Sequence, residues 1–180
     1  RLFANLMQWL EASALSGTDL PVGDRLLDDL VYEALNGMRD GFDQAAGLRP
    51  FGAVLARNGV VIAKASNSCV RDADPTAHAE VNVIRMGART LNSLDLSDCV
   101  LVASAQPCPM CRAAAFHAGI QTIFYASSWS DYRDLFPDHA CFEAMATDPD
   151  PSSQLSGRHR QDALAIWQDY RQRHSEHCSK

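Results

Sequence analysis

A chain of 180 residues is long enough for one domain with a hydrophobic core, and its 47% hydrophobic content is ordinary for a globular protein. The 16 basic and 22 acidic residues give a formal net charge of -6 without clustered Lys and Arg, which disfavours a nucleic-acid partner. No apolar run approaches the roughly 20 residues that span a bilayer. Leu2–Leu15 lacks the basic leader and cleavage site of a signal peptide, so we expect a cytoplasmic protein without a membrane partner.

Two helices are predicted before the first strand. The first covers Leu2–Leu15 and ends at Ser16-Gly17, and the second covers Arg25–Arg39 after Asp24, which is a good N-cap residue. Apolar residues of the second helix recur at the spacing of one helix face. They are Leu27, Leu30, Val31, Ala34 and Leu35.

A β-hairpin is predicted next. The apolar runs Phe51–Arg57 and Val60–Ala65 flank Asn58-Gly59, a dipeptide that favours a tight turn between antiparallel strands. Asp74-Pro75-Thr76 then interrupts the chain and opens a helix from about Ala77 to Arg89.

A strand, a helix and a second strand follow. The strands are predicted at Cys99–Ala103 and Ile120–Tyr125, and the helix between them runs from about Cys108 to Ala118, with Gly119 after its end. Two strands joined through a helix favour a parallel pair. We therefore expect an α/β fold in which helices cover both faces of the sheet.

The whole chain, residues 1–180, is predicted to form a single domain. Its core is expected at about 24–145, with an N-terminal helical extension at 1–20 and a C-terminal helix at about 160–174. The residues expected on the packed side of that last helix are Leu164, Trp167 and Tyr170.

The cysteines point to a metal site rather than to disulfides. The six cysteines are Cys69, Cys99, Cys108, Cys111, Cys141 and Cys178. Without a secretory signal, disulfides are disfavoured, and the C-x-x-C spacing of Cys108 and Cys111 favours metal or redox chemistry. The other four are expected to be reduced thiols.

One pattern carries the chemistry: His78-x-Glu80, followed by Pro107-Cys108-x-x-Cys111. A catalytic zinc takes three protein ligands and leaves one position for water, and His78 with the two cysteines supplies that number. Cysteines three apart share one helix face, and helix N-termini favour their thiolate form. Glu80, outside the ligand set, can carry protons between water and a substrate.

Two other interpretations of these residues stay open. The first is a structural zinc site, closed by a fourth ligand for which Cys69 and His117 are the candidates. The second is a thioredoxin-like redox pair, for which Cys108 and Cys111 suffice but the upstream His78 and Glu80 have no role.

At these residues the chain resembles the cytidine deaminase superfamily, over about residues 49–125. The matching pieces are Pro50-Phe-Gly-Ala-Val54, Asn67, Asp74-Pro-Thr-Ala-His-Ala-Glu-Val81 and Pro107-Cys-Pro-Met-Cys111. They are most similar to bacterial guanine deaminases and tRNA adenosine deaminases. The resemblance implies a three-layer α/β/α fold with a mixed sheet of about five strands, commonly a homodimer. It also implies one zinc at His78, Cys108 and Cys111, with Glu80 as proton shuttle.

The resemblance also implies substrate contacts. Asn67 matches an asparagine that hydrogen-bonds the base, the backbone N–H of Ala79 matches a donor to the ring substituent, and Phe51 matches an aromatic residue beside the base. The plainer alternatives are a turn residue for Asn67 and a core residue for Phe51. His117 stands where guanine deaminases carry tryptophan, and its alternative is a structural helix histidine.

Two further regions depart from the resembling families. Gln106 stands where glutamate is usual before the Pro-Cys pair. After Tyr125, three aromatic residues form a candidate lid over the substrate, and packing beneath the C-terminal helix is the alternative. They are Trp129, Tyr132 and Phe136.

The function that the resemblance implies is hydrolytic deamination of an amino-purine or amino-pyrimidine, as a free base or nucleoside, in the manner of guanine deaminases. A tRNA adenosine deaminase is the first alternative, although the Gly-rich stretch of those enzymes is missing. A non-catalytic, zinc-stabilised partner subunit is the second, and an intact Glu80 argues against it.

Overall fold

The computed structural model describes residues 22–136, residue 142 and residues 152–174, with side chains described from residue 26 except at residue 44. The helix expected over Leu2–Leu15 lies outside these residues, as do Cys141 and Cys178. The extent of a single domain over residues 1–180 therefore stays a prediction.

Helices and strands follow one another in the described chain in nearly the predicted order. They are α1 (Val22–Asp40), β1 (Arg49–Arg57), β2 (Val60–Asn67), α2 (Cys69–Asp72), α3 (Ala79–Leu91), β3 (Cys99–Ala105), α4 (Pro109–His117), β4 (Thr122–Ser127), β5 (Ser153–Gln154) and α5 (Arg158–His174). Short 3-10 turns cover Gln44–Ala46 and Trp129–Asp131.

The strands form one mixed sheet in the order β2-β1-β3-β4-β5. β1 is antiparallel to both β2 and β3, whereas β3, β4 and β5 run parallel to one another. The predicted hairpin is confirmed: Asn58 and Gly59 both have positive φ, 49° and 80°, as a tight turn between twisted strands requires. The predicted parallel pair is also confirmed.

Side chains of β1 alternate between the two faces of the sheet. Val54 and Ala56 belong to the core cluster that includes residues of α1 and α5, whereas Ala53 and Leu55 belong to the cluster formed with α3 and α4. The sheet is thus covered on both faces, which confirms the three-layer α/β/α fold. In the described residues no helix is both long and apolar enough to cross a membrane.

Gly52 allows α1 to lie very close to β1. A Cβ atom built on Gly52 would lie 2.2 Å from the backbone oxygen of Ala34 and 2.6 Å from the backbone nitrogen of Met38. Any larger residue at this position forces helix and strand apart. β1 leads directly from Gly52 towards the centre of the sheet, so this close contact also positions the site described below.

The helix ends differ from the predictions where backbone contacts decide them. α1 begins at Val22, so Asp24 lies within the first turn rather than at the N-cap. β4 begins at Thr122 because Gly119, with φ of 82°, turns the chain, and the Ile120 N–H still closes α4 by donating to the Ala115 oxygen at 2.9 Å.

α5 begins at Arg158, slightly earlier than predicted. Its packed stripe has helical spacing and consists of Ala163, Ile166, Trp167 and Tyr170. Leu164, which was expected on that side, is only half-buried because it lies at the margin of the stripe.

Candidate metal centre

Two helix N-termini meet at the site. His78 is the N-cap residue of α3 and Cys108 is the N-cap residue of α4, and both have the extended backbone conformation that such positions require. Pro109 occupies the first turn of α4, where a missing N–H costs nothing. Side chains at a helix start lean off the helix end, so both residues point towards one place, and Cys111 reaches it from the first turn of α4.

The three predicted ligands lie at distances that fit zinc. The two sulfurs are 3.5 Å apart, and His78 Nδ1 lies 3.7 Å from Cys108 Sγ and 3.5 Å from Cys111 Sγ. A tetrahedral zinc with bonds of about 2.3 Å to sulfur and about 2.0 Å to nitrogen puts two sulfurs about 3.8 Å apart and a sulfur and a nitrogen about 3.5 Å apart. The donor set therefore fits one zinc ion.

No fourth protein ligand joins the three donors among the residues that the structure describes. Cys69 is directed elsewhere, with its Sγ 3.7 Å from the backbone oxygen of Pro75. His117 lies exposed at the last turn of α4. Neither candidate for a closed structural site is thus a ligand, and the described donors leave the open position that a catalytic zinc uses.

The charges of the donors suit a cation. A hydrogen bond between the two sulfurs lowers the pKa of Cys108 to about 4, against the effect of burial. The same contact raises the pKa of Cys111, because both sulfurs cannot ionise while they face each other without a counter-ion. Burial lowers the pKa of His78, but its hydrogen bond with Cys108 and the charge of Glu80 raise it overall. Zinc would replace these shared protons.

Glu80 lies in the first turn of α3, buried, and outside the group of three donors. Burial raises the pKa of its carboxyl group, and the positive charge of His78 partly offsets that effect. A raised pKa makes the carboxylate a stronger base, which suits a group that accepts and returns protons.

A small cavity of about 20 Å³ lies beside the donors. Its wall consists of Phe51, Gly52, Asn67, His78, Glu80, Ser104, Ala105, Gln106, Cys108, Tyr132 and Phe142. The cavity thus brings together the two predicted substrate contacts Asn67 and Phe51 with Glu80, the predicted proton shuttle. Ala79 is buried in the first turn of α3, where backbone N–H groups have no partner within the helix.

Asn67 and Phe51 each fill the plainer role considered for them, and each also lines the cavity. Asn67 ends β2, and its side-chain oxygen accepts a hydrogen bond from the Cys69 N–H at 3.1 Å, as a turn residue does, while the side chain also lines the cavity. Phe51 packs into the core cluster shared by α1 and α5, yet it forms part of the cavity wall.

His117 and Trp129 do not line this cavity. His117 follows Cys111 by six residues, which on a helix is about 9 Å along the axis and on another face, so its exposed side chain points away from the metal site. Trp129 is buried and donates its indole N–H to the Gln106 backbone oxygen at 2.8 Å, behind the cysteine segment.

The sequence pattern did not single out Ser104 as a residue of the cavity. It is buried at the end of β3 and accepts a hydrogen bond from the Gly52 N–H at 3.0 Å. Its position four residues before Cys108, on a strand leading into the metal-binding helix, was the available signal. Tyr132 entered the analysis only as one of three aromatic candidates for a lid.

Comparison with known families agrees with this geometry. Residues 25–127 match the family described as the cytidine and deoxycytidylate deaminase zinc-binding region. Guanine deaminase of Bacillus subtilis (strain 168) is 44% identical over 82 residues, which are 46% of this chain and 53% of that protein. The tRNA-specific adenosine deaminase of Buchnera aphidicola subsp. Baizongia pistaciae is 37% identical over 84 residues, 47% of this chain and 52% of that protein.

The aligned part of the chain spans about half the length of these curated relatives. Solved structures match over more of it. The structure of guanine deaminase from Bacillus subtilis aligns with a TM-score of 0.61 and 30% identity, covering 79% of this chain and 93% of that one. A guanine deaminase structure from Nitrosomonas europaea aligns with a TM-score of 0.63 and 25% identity, over 78% and 82% of the two chains.

Proposed function

The chain belongs to the cytidine and deoxycytidylate deaminase family with its zinc-binding region, and on that premise we propose that it is a zinc-dependent hydrolytic deaminase of an amino-purine or amino-pyrimidine. The substrate is a free base or nucleoside, as in guanine deaminases. The observation that carries the proposal is the set of three zinc ligands without a fourth described protein donor, next to the buried carboxyl group of Glu80.

The residues divide the chemistry between them. His78, Cys108 and Cys111 would hold the zinc, which when bound lowers the pKa of a water molecule towards about 7 and so makes it a nucleophile at neutral pH. Two thiolates offset the double charge of the ion.

Glu80 moves the protons of the reaction. Its carboxylate takes a proton from the attacking water as the oxygen adds to the ring carbon that bears the amine, and delivers it to the ring nitrogen. Glu80 then takes the proton of the added hydroxyl group and passes it to the amine, which leaves as ammonia while the ring carbon becomes a carbonyl. The raised pKa of Glu80 suits both the uptake and the release of the proton.

Substrate binding falls to residues of the cavity wall. We propose that Asn67 hydrogen-bonds the base, that Phe51 lies beside its ring, and that the Ala79 N–H donates to the ring substituent. The positions of His117 and Trp129 outside the cavity do not support their substrate contacts within one chain.

Ammonia release from a panel of guanine, adenine, cytosine and their nucleosides tests the function. We expect the zinc-loaded protein to release ammonia from at least one of them and to lose that activity when a chelator removes the metal. Failure to release ammonia from any member, with one zinc per chain confirmed, would contradict the proposal.

A tRNA adenosine deaminase remains the second candidate, because relatives with that name reach similar identity, 37% against 44%. It predicts salt-sensitive binding of a tRNA anticodon stem-loop, which the net charge of -6 disfavours. A gel shift with that RNA and ammonia release from its adenosine distinguish the two candidates. Membership of the family also leads us to propose that the protein is cytoplasmic and forms a homodimer. Analytical ultracentrifugation tests whether it is a dimer.

A further inference from the structure

Tyr132 lies between the aromatic cluster beneath α5 and the cavity. Its side chain is almost completely buried, and it lines the cavity together with Glu80 and Asn67. On its other side the ring stacks on Trp167, with centroids 4.6 Å apart and planes inclined by 28°, and it meets Phe51 edge-on at 5.5 Å. The ring thus packs between two aromatic neighbours at the boundary of the site.

The backbone that carries Tyr132 is anchored as well. Its neighbour Asp131 closes a capping box with Ser128 and accepts a hydrogen bond from Arg160 of α5 at 2.7 Å. Arg171, also on α5, donates to the Asp131 backbone oxygen at 2.8 Å. A backbone anchored in this way keeps the Tyr132 side chain at the boundary of the site, as selective recognition of a ligand requires.

A base in the cavity has to meet Tyr132. A volume of about 20 Å³ holds roughly one water molecule and is too small for a planar base. The walls opposite are the two helix starts that carry His78, Glu80 and Cys108, and these must keep their positions for the metal. Binding of a ring therefore widens the cavity at its aromatic wall, where Phe51 and Tyr132 are the neighbours of the ring.

The phenol of Tyr132 stays protonated there. Burial raises its pKa, and the negative charges of Glu80 and Cys108 raise it further. A neutral hydroxyl group offers one donor and an acceptor, and it complements the amide group of Asn67 across the cavity wall.

We propose that Tyr132 is a specificity-determining residue of this site, whose hydroxyl group hydrogen-bonds the polar edge of the substrate ring and so distinguishes one amino-heterocycle from another. The proposal rests on the proposed deaminase function for its substrate class. It goes beyond an aromatic lid, because the hydroxyl group rather than the ring carries the discrimination.

The test compares two variants that each lose one phenolic hydroxyl group. Tyr132→Phe keeps the ring stacked on Trp167. Tyr170→Phe is the matched control, because Tyr170 is buried in the same aromatic cluster but does not line the cavity. Steady-state kinetics of both zinc-loaded variants are measured with guanine, adenine and cytosine.

We expect Tyr132→Phe to raise KM for the preferred base by about three- to tenfold, as the loss of one hydrogen bond does, with kcat little changed. The ratio of kcat/KM between the preferred base and the other two should also become smaller. If the role of Tyr132 were purely structural, the substitution would instead change the kinetic constants by the same factor for all three bases. Equal scaling, unchanged kinetics, or an equal change in Tyr170→Phe would overturn the proposal.

The proposed function can fail separately. If the zinc-loaded wild-type protein releases no ammonia from any base, the deaminase proposal fails, and calorimetric titration with the same three bases then decides the role of Tyr132. Dissociation constants that rise selectively in Tyr132→Phe support it. Constants that the substitution leaves unchanged, or bases that bind to neither protein, overturn it.

Discussion

Trp129 supports the segment that carries both cysteine ligands. Its indole N–H donates to the backbone oxygen of Gln106 at 2.8 Å, two residues before Cys108. The guanidinium group of Arg112, the residue after Cys111, lies over the same indole at 5.7 Å from its centroid. The side chain that resembled a substrate contact in the sequence thus holds the start and the end of the metal-binding segment in place.

Trp129→Phe should weaken zinc binding by about tenfold, because groups that orient metal ligands typically contribute that much or more. A competition titration with a chromophoric chelator measures the affinity. Trp167→Phe is the control, since it also loses an indole hydrogen bond, to Ser127 Oγ at 3.0 Å, but one that lies outside the cysteine segment. Wild-type zinc affinity in Trp129→Phe would contradict this role.

At the scale of secondary-structure elements, the contact between α1 and β1 depends on Gly52. We expect Gly52→Ala to lower the free energy of unfolding by about 3 kcal/mol, because the new methyl group meets helix backbone rather than a movable side chain. Urea unfolding measures the change. In the control Gly87→Ala, the methyl group meets the end of the flexible Leu55 side chain at 2.2 Å. Alanine also has a higher helix propensity than glycine, so we expect a much smaller loss in the free energy of unfolding. Equal losses would contradict the explanation.

The loop after β4 is tied to α5 by an ion pair whose pH dependence can be measured. Hydrogen bonds from Arg171 lower the pKa of Asp134. A carboxyl group whose pKa is lower in the folded protein contributes its full stabilisation at pH values above the unfolded pKa of about 3.9. This stabilisation is lost as the pH falls through the lower pKa of the folded state. Because the Asp134 side chain is 60% exposed, its contribution should remain below about 1 kcal/mol.

Asp134→Asn lacks that contribution at every pH. Urea midpoints of wild type and variant should therefore differ at pH 6, and the difference should shrink as the pH falls below about 3.9. Comparing both proteins at the same pH cancels losses common to them, such as release of zinc. A difference that grows as the pH falls would show that the sign is wrong.

For the whole molecule, local patterns predicted most of the fold and the metal ligands. The Asn58-Gly59 turn and the starts of α3 and α4 depend on neighbours in the sequence, so periodicity and capping signals suffice for them. The strand β5 was missed because two residues, Ser153 and Gln154, show no period. It exists through pairing with β4, which only the folded chain provides.

The cavity wall was harder to predict than its metal ligands. Ligands three residues apart on one helix start can be placed from spacing alone. Tyr132 and Ser104 reach the cavity through the packing of α5 and of β3 against β1, which spacing does not contain. His117 was predicted as a substrate contact from its position in the resembling family. Helix geometry instead directs its exposed side chain away from the metal site.

The paired measurement of zinc content and ammonia release in Glu80→Gln tests the central claim most directly. The variant keeps the size of the side chain but cannot shuttle protons. We predict one zinc per chain, as in wild type, with a rate of ammonia release lower by about a hundredfold or more. Ammonia release near the wild-type rate in the zinc-loaded variant would contradict the claim that Glu80 and the zinc site form a deaminase active site.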